Sequence, residues 1–220
     1  MTFWKNRPRQ RTVLLFAAAL SLLAALSAAA WIEFAHDRQP PAKPLPAAQP
    51  QALLPDTSRL QAGDWIFRSG VSVDSRFIKR ISHSPYSHIG MVVQTDPHIV
   101  VAHATTDDDP NLPNQVLLTP LADFAAADKA DAVAVARPRF LNASQRRQSA
   151  DYAARLQGKP FVLDERNHQP FYCTHVVLDA VRRHAPQFNP KWQYLDIAVF
   201  RGEYLFPEAF THEDIAWIYR

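Results

Sequence analysis

The hydrophobic pattern divides the chain into three regimes. The first is an unbroken apolar run from Val13 to Ile32, interrupted only by Ser21 and Ser27 and free of charge. Its 20 residues suffice to cross a hydrocarbon core of ~30 Å as a helix. The second regime, His36 to Pro55, carries Pro40, Pro41, Pro44, Pro46, Pro50 and Pro55 among alanines. Such a composition favours an extended segment that packs poorly. The third, Thr57 to Arg220, changes period every few residues and is long enough for one domain with its own core.

Within that third regime the period identifies the elements. Gly63-Asp64 turns into a short strand, Trp65-Ile66-Phe67-Arg68. Val73, Phe77, Ile78 and Ile81 recur at helical spacing, so Val73 to Ser82 is predicted to be a helix. Tyr86 to Gln94 and His98 to Thr105 are short and β-branched, and read as two strands joined around Asp96-Pro97. Val116 to Thr119 and Ala132 to Arg137 read as further strands, with a short helix from Leu121 to Ala127 between them. Asn142 with Gln145 three residues on predicts a capped helix that runs to Leu156 and ends at Gly158. A second main helix begins near Tyr172, with Val176, Val177, Ala180 and Val181 on one face. The aromatic tail from Trp192 is harder to divide; Pro207 and Glu208 start a loop or short helix, and Ala216 to Tyr219 reads as a closing strand. Antiparallel strands with two main helices define an α+β class.

Charge changes the picture at the N-terminus. Lys5, Arg7, Arg9 and Arg11 precede the apolar run, which places that end in the cytoplasm and the remainder across the membrane. The run suits an uncleaved anchor, and Trp31 sits where an interfacial aromatic belongs. Ser27-Ala28-Ala29-Ala30 also offers a small-residue exit for signal cleavage. The expected organisation is therefore a signal-anchor or signal peptide over 1–35, a linker over 36–56 and a domain over 57–220. Four of the 24 Lys and Arg precede the apolar run, which leaves 20 against 21 Asp and Glu in the rest of the chain. The domain itself is near neutral, without the basic stripe of a nucleic-acid binder. The expected locale is the cell envelope.

Cys173 is the single cysteine. Exported proteins use cysteines in pairs, because pairs make disulfides. An unpaired one is a buried spectator, a link between chains or a working thiol, and the spectator is the commoner case. Its place at the start of the second helix favours the thiol. The helix dipole and free N–H groups stabilise a thiolate there, and the Cys173 N–H points toward any oxyanion formed by attack on a carbonyl. His88, in Ser87-His88-Ile89-Gly90, has small neighbours and is the best base. If the two strands form a hairpin, His103 lies beside it and can hold its tautomer.

Three segments then resemble one family. Gly63-Asp64-Trp65-Ile66-Phe67 is similar to its opening Gly-Asp-aliphatic strand. Ser84-Pro85-Tyr86-Ser87-His88-Ile89-Gly90 is similar to its Ser-x-Tyr-Ser-His-Val-Gly strand. Tyr172-Cys173-Thr174-His175-Val176-Val177 is similar to its Tyr-Cys-Ser-Glu-Leu-Val helix start. The family is the permuted NlpC-type cysteine hydrolases, the YiiX/YebB-like branch of the papain-like amidases, in which the histidine precedes the cysteine. The resemblance covers about Leu60 to Val181. It implies Cys173 as nucleophile, His88 as base and His103 as the orienting group. It further implies a small antiparallel half-barrel packed on the nucleophile helix, and a substrate that is a cell-wall peptide or an acyl-lipid. Relatives often carry Glu where His103 stands, and His175 replaces a common Glu.

Other readings are weaker. Tyr86 and Tyr172 are candidates for lining the substrate site or donating to the oxyanion, though core packing is the commoner role of such aromatics. A zinc site wants three or four closely spaced ligands, which one cysteine and scattered histidines do not supply, so no metal or cofactor is expected. Asp107-Asp108-Asp109 lacks the spaced pattern of a calcium loop and reads as a solvated turn. His83, His98, His168 and His175 read as surface or structural. The alternatives to an enzyme are a binding module that keeps the fold without turnover, and an envelope partner bridged through Cys173.

Overall fold

In the computed structural model of the protein, residues 56–197 and 200–220 are described. The apolar run and the proline-rich segment lie outside them. Among the described residues no helix is long and apolar enough to cross a membrane.

The predicted elements form, with boundaries shifted by a few residues. Strands β1 (Trp65–Gly70), β2 (His88–Gln94), β3 (Val100–Thr105), β4 (Gln115–Pro120) and β5 (Ala130–Pro138) precede a β6–β7 hairpin (Gln193–Ile197, Phe200–Tyr204) and β8 (Ile215–Tyr219). Helices α1 (Val73–Ile81), α2 (Leu121–Phe124), α3 (Ala143–Ala154), α4 (Cys173–Arg182) and α5 (Glu208–Thr211) complete the order. Asn142 and Gln145 cap α3 reciprocally, each side chain accepting from the other's backbone N–H at 2.9 Å. The strand read at the C-terminus, β8, pairs with β5. Within the tail, Pro207 and Glu208 start a short helix, α5, at the position expected for a loop or short helix, whereas the β6–β7 hairpin carries no strong periodic signal.

One six-stranded sheet has the order β4-β3-β2-β1-β5-β8, and its pairings are antiparallel. Alternation sends successive side chains to opposite faces. Phe67, Ile89, Met91, Ala102 and Ala134 face the helical layer and share a core with Val176, Val177 and Val181 of α4 and with Ala150 and Ala153 of α3. Ile66, Val92, Val101 and Val135 face the other way and pack around Phe124 of α2. The β1–β2 register pairs Arg68 with His88. The β2–β3 register begins only at Met91 with Ala102. Among the described residues, the start of β2 is therefore bonded to β1 on one side and released from β3 on the other. That release opens the sheet where the sequence places His88.

Candidate active site

The opening is a cavity of about 500 Å³. Its polar lining includes Arg68, Ser87, His88, Asp108, Tyr172 and Cys173. Its apolar lining includes Phe77, Ile81, Leu163, Leu195, Phe200 and Phe206. Cys173 is the first residue of α4, after Tyr172 in extended backbone (φ −135, ψ −170). His175 N–H donates to the Tyr172 carbonyl at 2.8 Å, while the Cys173 and Thr174 N–H groups at the helix start are directed at the thiol.

The two predicted histidines stand together. Nε2 of His88 is 2.8 Å from Nδ1 of His103, with the rings at right angles. Nε2 of His103 is 2.8 Å from Oγ1 of Thr119. Gly90 permits this closeness: a Cβ there would lie 2.6 Å from Cγ1 of Val101 and 3.2 Å from Cβ of His103. Both imidazoles and the Arg68 guanidinium pack on the Phe124 ring, at 5.8, 5.0 and 4.8 Å. Since His88 Nε2 is taken by His103, the ring nitrogen left for a substrate proton is Nδ1.

Burial decides the resting charges. It holds His88 well below its ordinary value, assisted by the positive charge of Arg68 and by His103, against the opposing pull of Asp108. Burial likewise brings His103 down to about 3. Burial pushes the Cys173 thiol up to about 11, overriding the backbone N–H groups of Ile89, Thr174 and Cys173 itself and the Arg68 charge, all of which favour the thiolate. The helix start was expected to yield a thiolate. It supplies the donors, but desolvation disfavours the charged form more, and burial moves both the thiol and the imidazole toward their neutral forms. The Ile89 N–H is one of those donors because the β2–β3 ladder stops short of it.

The tyrosines separate. Tyr172 contributes its ring to the cavity, while its hydroxyl accepts from Leu205 N–H at 2.7 Å. Tyr86 lies in the core on the helical face, against Phe67 and Trp217, and is not part of the cavity lining. His175 is buried, brought to about 4 by burial and by the charges of Lys159 and Arg182; its Nδ1 accepts from Tyr172 N–H at 3.4 Å. It secures the start of α4. The solvated-turn reading of the acidic run is corrected at Asp108. Its side chain is only 8% exposed, and both of its oxygens face terminal nitrogens of Arg68 at 2.6 and 3.1 Å. Burial opposes that charge, but the guanidinium overrides it and keeps the carboxyl ionised. Arg68, Thr119 and Phe124 carry no motif. The available signal was period two: Arg68 follows Ile66 on the His88 face, and Thr119 follows Leu117 on the His103 face.

A thiol at a helix start, an imidazole and a second group holding that imidazole, all around one cleft on an antiparallel sheet, define a papain-like cysteine hydrolase. Residues 59–202 match the family described as permuted papain-like amidase enzyme, YaeF/YiiX, C92 family, and the chain belongs to that family. It is accordingly an enzyme of the cysteine amidase and peptidase type. The crystal structure of metalloprotein yiiX from Escherichia coli O157:H7 shares the fold, with a TM-score of 0.59 and 22% identity, covering 73% of this chain and 97% of that one. No curated protein matches the chain.

Proposed function

We propose that the chain is a cell-envelope hydrolase that cleaves amide or ester bonds through Cys173, His88 and His103. His88 Nδ1 takes the thiol proton as Sγ bonds to the carbonyl carbon. The oxyanion receives the Cys173 N–H at the start of α4. His88 then gives the proton to the leaving nitrogen or oxygen, the carbonyl–heteroatom bond breaks, and an acyl-enzyme remains. Water, deprotonated by His88, releases the acid and restores the thiol. His103 acts through His88 as a positioning residue. Tyr172 contributes a wall of the cavity, and its hydroxyl oxygen accepts from Leu205 N–H. The observation that carries this reading is the 2.8 Å bond between His88 Nε2 and His103 Nδ1 in the cavity that Cys173 also lines.

The lining favours an acyl-lipid over a cell-wall peptide. Phe77 and Ile81 of α1 line the cavity opposite a hairpin that supplies Leu195 and Phe200, and the Phe77 and Phe200 rings lie 5.7 Å apart. Helix α1 buries none of its residues, and Phe77 remains 38% exposed even beside Phe200, so part of this apolar surface is uncovered. A hydrocarbon chain gains by covering it. The basic residues before the N-terminal apolar run support attachment to the membrane that holds such substrates. The solved relative is described as a metalloprotein. Here, among the described residues, no three His, Cys, Asp or Glu side chains stand together to hold a metal, and the His88 and His103 nitrogens that meet are spent on each other. The residues do not fit a metal, and the mechanism uses none.

The test is turnover of acyl-lipids beside muropeptides by the full chain and by Cys173→Ala. Release of fatty acid or amine by the wild type alone supports the reading. Equal activity in the two proteins rejects the mechanism, and turnover of muropeptides alone rejects the acyl assignment.

A further inference from the structure

We infer that Thr119 fixes the tautomer of His103 and thereby keeps His88 Nδ1 free as a base; this rests on the proposed roles of Cys173, His88 and His103. Three side chains form a row: Thr119 Oγ1 to His103 Nε2 at 2.8 Å, and His103 Nδ1 to His88 Nε2 at 2.8 Å. All three are buried, and His103 is fully so. A neutral imidazole has one N–H and one acceptor nitrogen. The row therefore runs in one of two directions.

If Thr119 donates to His103 Nε2, then His103 donates from Nδ1 and His88 accepts at Nε2. The His88 proton then sits on Nδ1, toward the substrate, and the base is blocked. If His103 donates from Nε2 to Thr119, its Nδ1 accepts from His88 Nε2–H, and His88 Nδ1 is free. Proton transfer selects the second direction. Once His88 is an imidazolium, both its nitrogens carry protons, and Nε2–H must meet an acceptor. That acceptor is His103 Nδ1, which obliges the His103 proton to sit on Nε2 and to be received by Thr119 Oγ1. A buried N–H without an acceptor there would cost the full desolvation of the group.

The surrounding charges are compatible with this direction. Asp108, after β3, is the carboxylate that faces His103, and its Oδ2 is 3.9 Å from Nδ1, beyond hydrogen-bond length. Arg68 of β1 engages both its oxygens, and Lys129, before β5, donates to its backbone carbonyl at 2.9 Å. Asp108 is thereby kept from drawing the His103 proton back to Nδ1. Thr119 is a positioning residue two steps from the thiol.

Thr119→Val keeps the shape and removes the acceptor, whereas Thr119→Ser keeps it. The reporter is alkylation of Cys173 by iodoacetamide on the full chain across pH, together with ¹⁵N spectra of labelled histidines. In the wild type, His103 is expected to carry its proton on Nε2. In Thr119→Val, alkylation at neutral pH is expected to slow by ~10-fold or more, the scale of one lost hydrogen bond to a group that becomes charged. Thr119→Ser is expected to restore the rate. A wild-type His103 protonated on Nδ1 overturns the inference, and that spectrum decides it even if the valine variant does not fold. So does wild-type alkylation, with an unchanged pH curve, in folded Thr119→Val. His88→Ala separates the two levels. If it too leaves alkylation unchanged, the assignment of His88 as base has failed; if it alone slows the reaction, only the role of Thr119 has failed.

Discussion

Arg68 and Asp108 close a two-point ion pair, with nitrogen to oxygen distances of 2.6 and 3.1 Å, directly beside the two imidazoles. Arg68 is also the register partner of His88 on β1. Its charge opposes protonation of both histidines. Arg68→Met removes that charge and frees Asp108, so both changes make the imidazoles more basic. The acid limb of kcat/KM is expected to move to higher pH. Urea denaturation is expected to show a loss of about 3–5 kcal/mol, the scale for stranding one partner of a buried pair. An acid limb at the wild-type position shows that Arg68 does not set the basicity of His88.

The wild-type pH profile follows from the same charges. The proposed mechanism requires a neutral His88 to take the thiol proton, and its value lies well below 6.5 because of burial, Arg68 and His103. The Cys173 thiol stays protonated up to about 11. Activity is therefore expected to hold from alkaline pH down through pH 6 and to fall only in more acid solution. A half-maximum near 6.5, the value of a free imidazole, would show that the site does not disfavour the imidazolium.

Stability is expected to move with pH in a defined direction. His103 and His175 are brought by burial to about 3 and about 4 in the folded protein, against 6.5 for the unfolded side chain. Below 6.5 the unfolded chain binds more protons than the folded one. The stabilising contribution is full above 6.5 and is lost as pH falls toward those values, at no more than about 1.4 kcal/mol per pH unit for each group. Urea titrations at pH 7, 6 and 5 measure the slope. His175→Gln, which keeps an acceptor near Tyr172 N–H, is expected to flatten it. A slope identical to that of the wild type contradicts a buried neutral His175.

The sequence disclosed what is local. Periodicity located β1 to β5, the capping pair located α3, and the small residues around His88 marked a strand start with space beside it. The pairing of His88 with His103 followed from one hairpin. What escaped is set by partners distant in sequence. Asp108 looks solvated until Arg68, 40 positions earlier, is brought to it. Thr119 is an ordinary strand threonine until β4 pairs with β3. The β6–β7 hairpin buries Leu195 and Tyr204 but exposes Tyr194 and Ile197, and one buried residue per strand leaves no clean alternation to read. The charge preference of the thiol is hidden for a related reason. Its charge state depends on desolvation by the whole fold, and a helix start reveals only the stabilising part.

The apolar walls make the final prediction. Phe77 and Phe200 touch across the cavity at 5.7 Å, and neither is fully buried. Truncating either would remove contact with the proposed acyl chain and little of the folded core. Covering a Phe side chain is worth about 1.5–3 kcal/mol, so Phe77→Ala or Phe200→Ala is expected to lower kcat/KM for long-chain acyl amides or esters by ~10-fold or more. For acetyl substrates, which do not reach the walls, the loss is expected to be small. Comparing kcat/KM across a chain-length series, with thermal melting as the control for folding, separates binding from damage. Equal losses at every chain length place the acyl group elsewhere. No loss at any length removes α1 and the hairpin from substrate recognition.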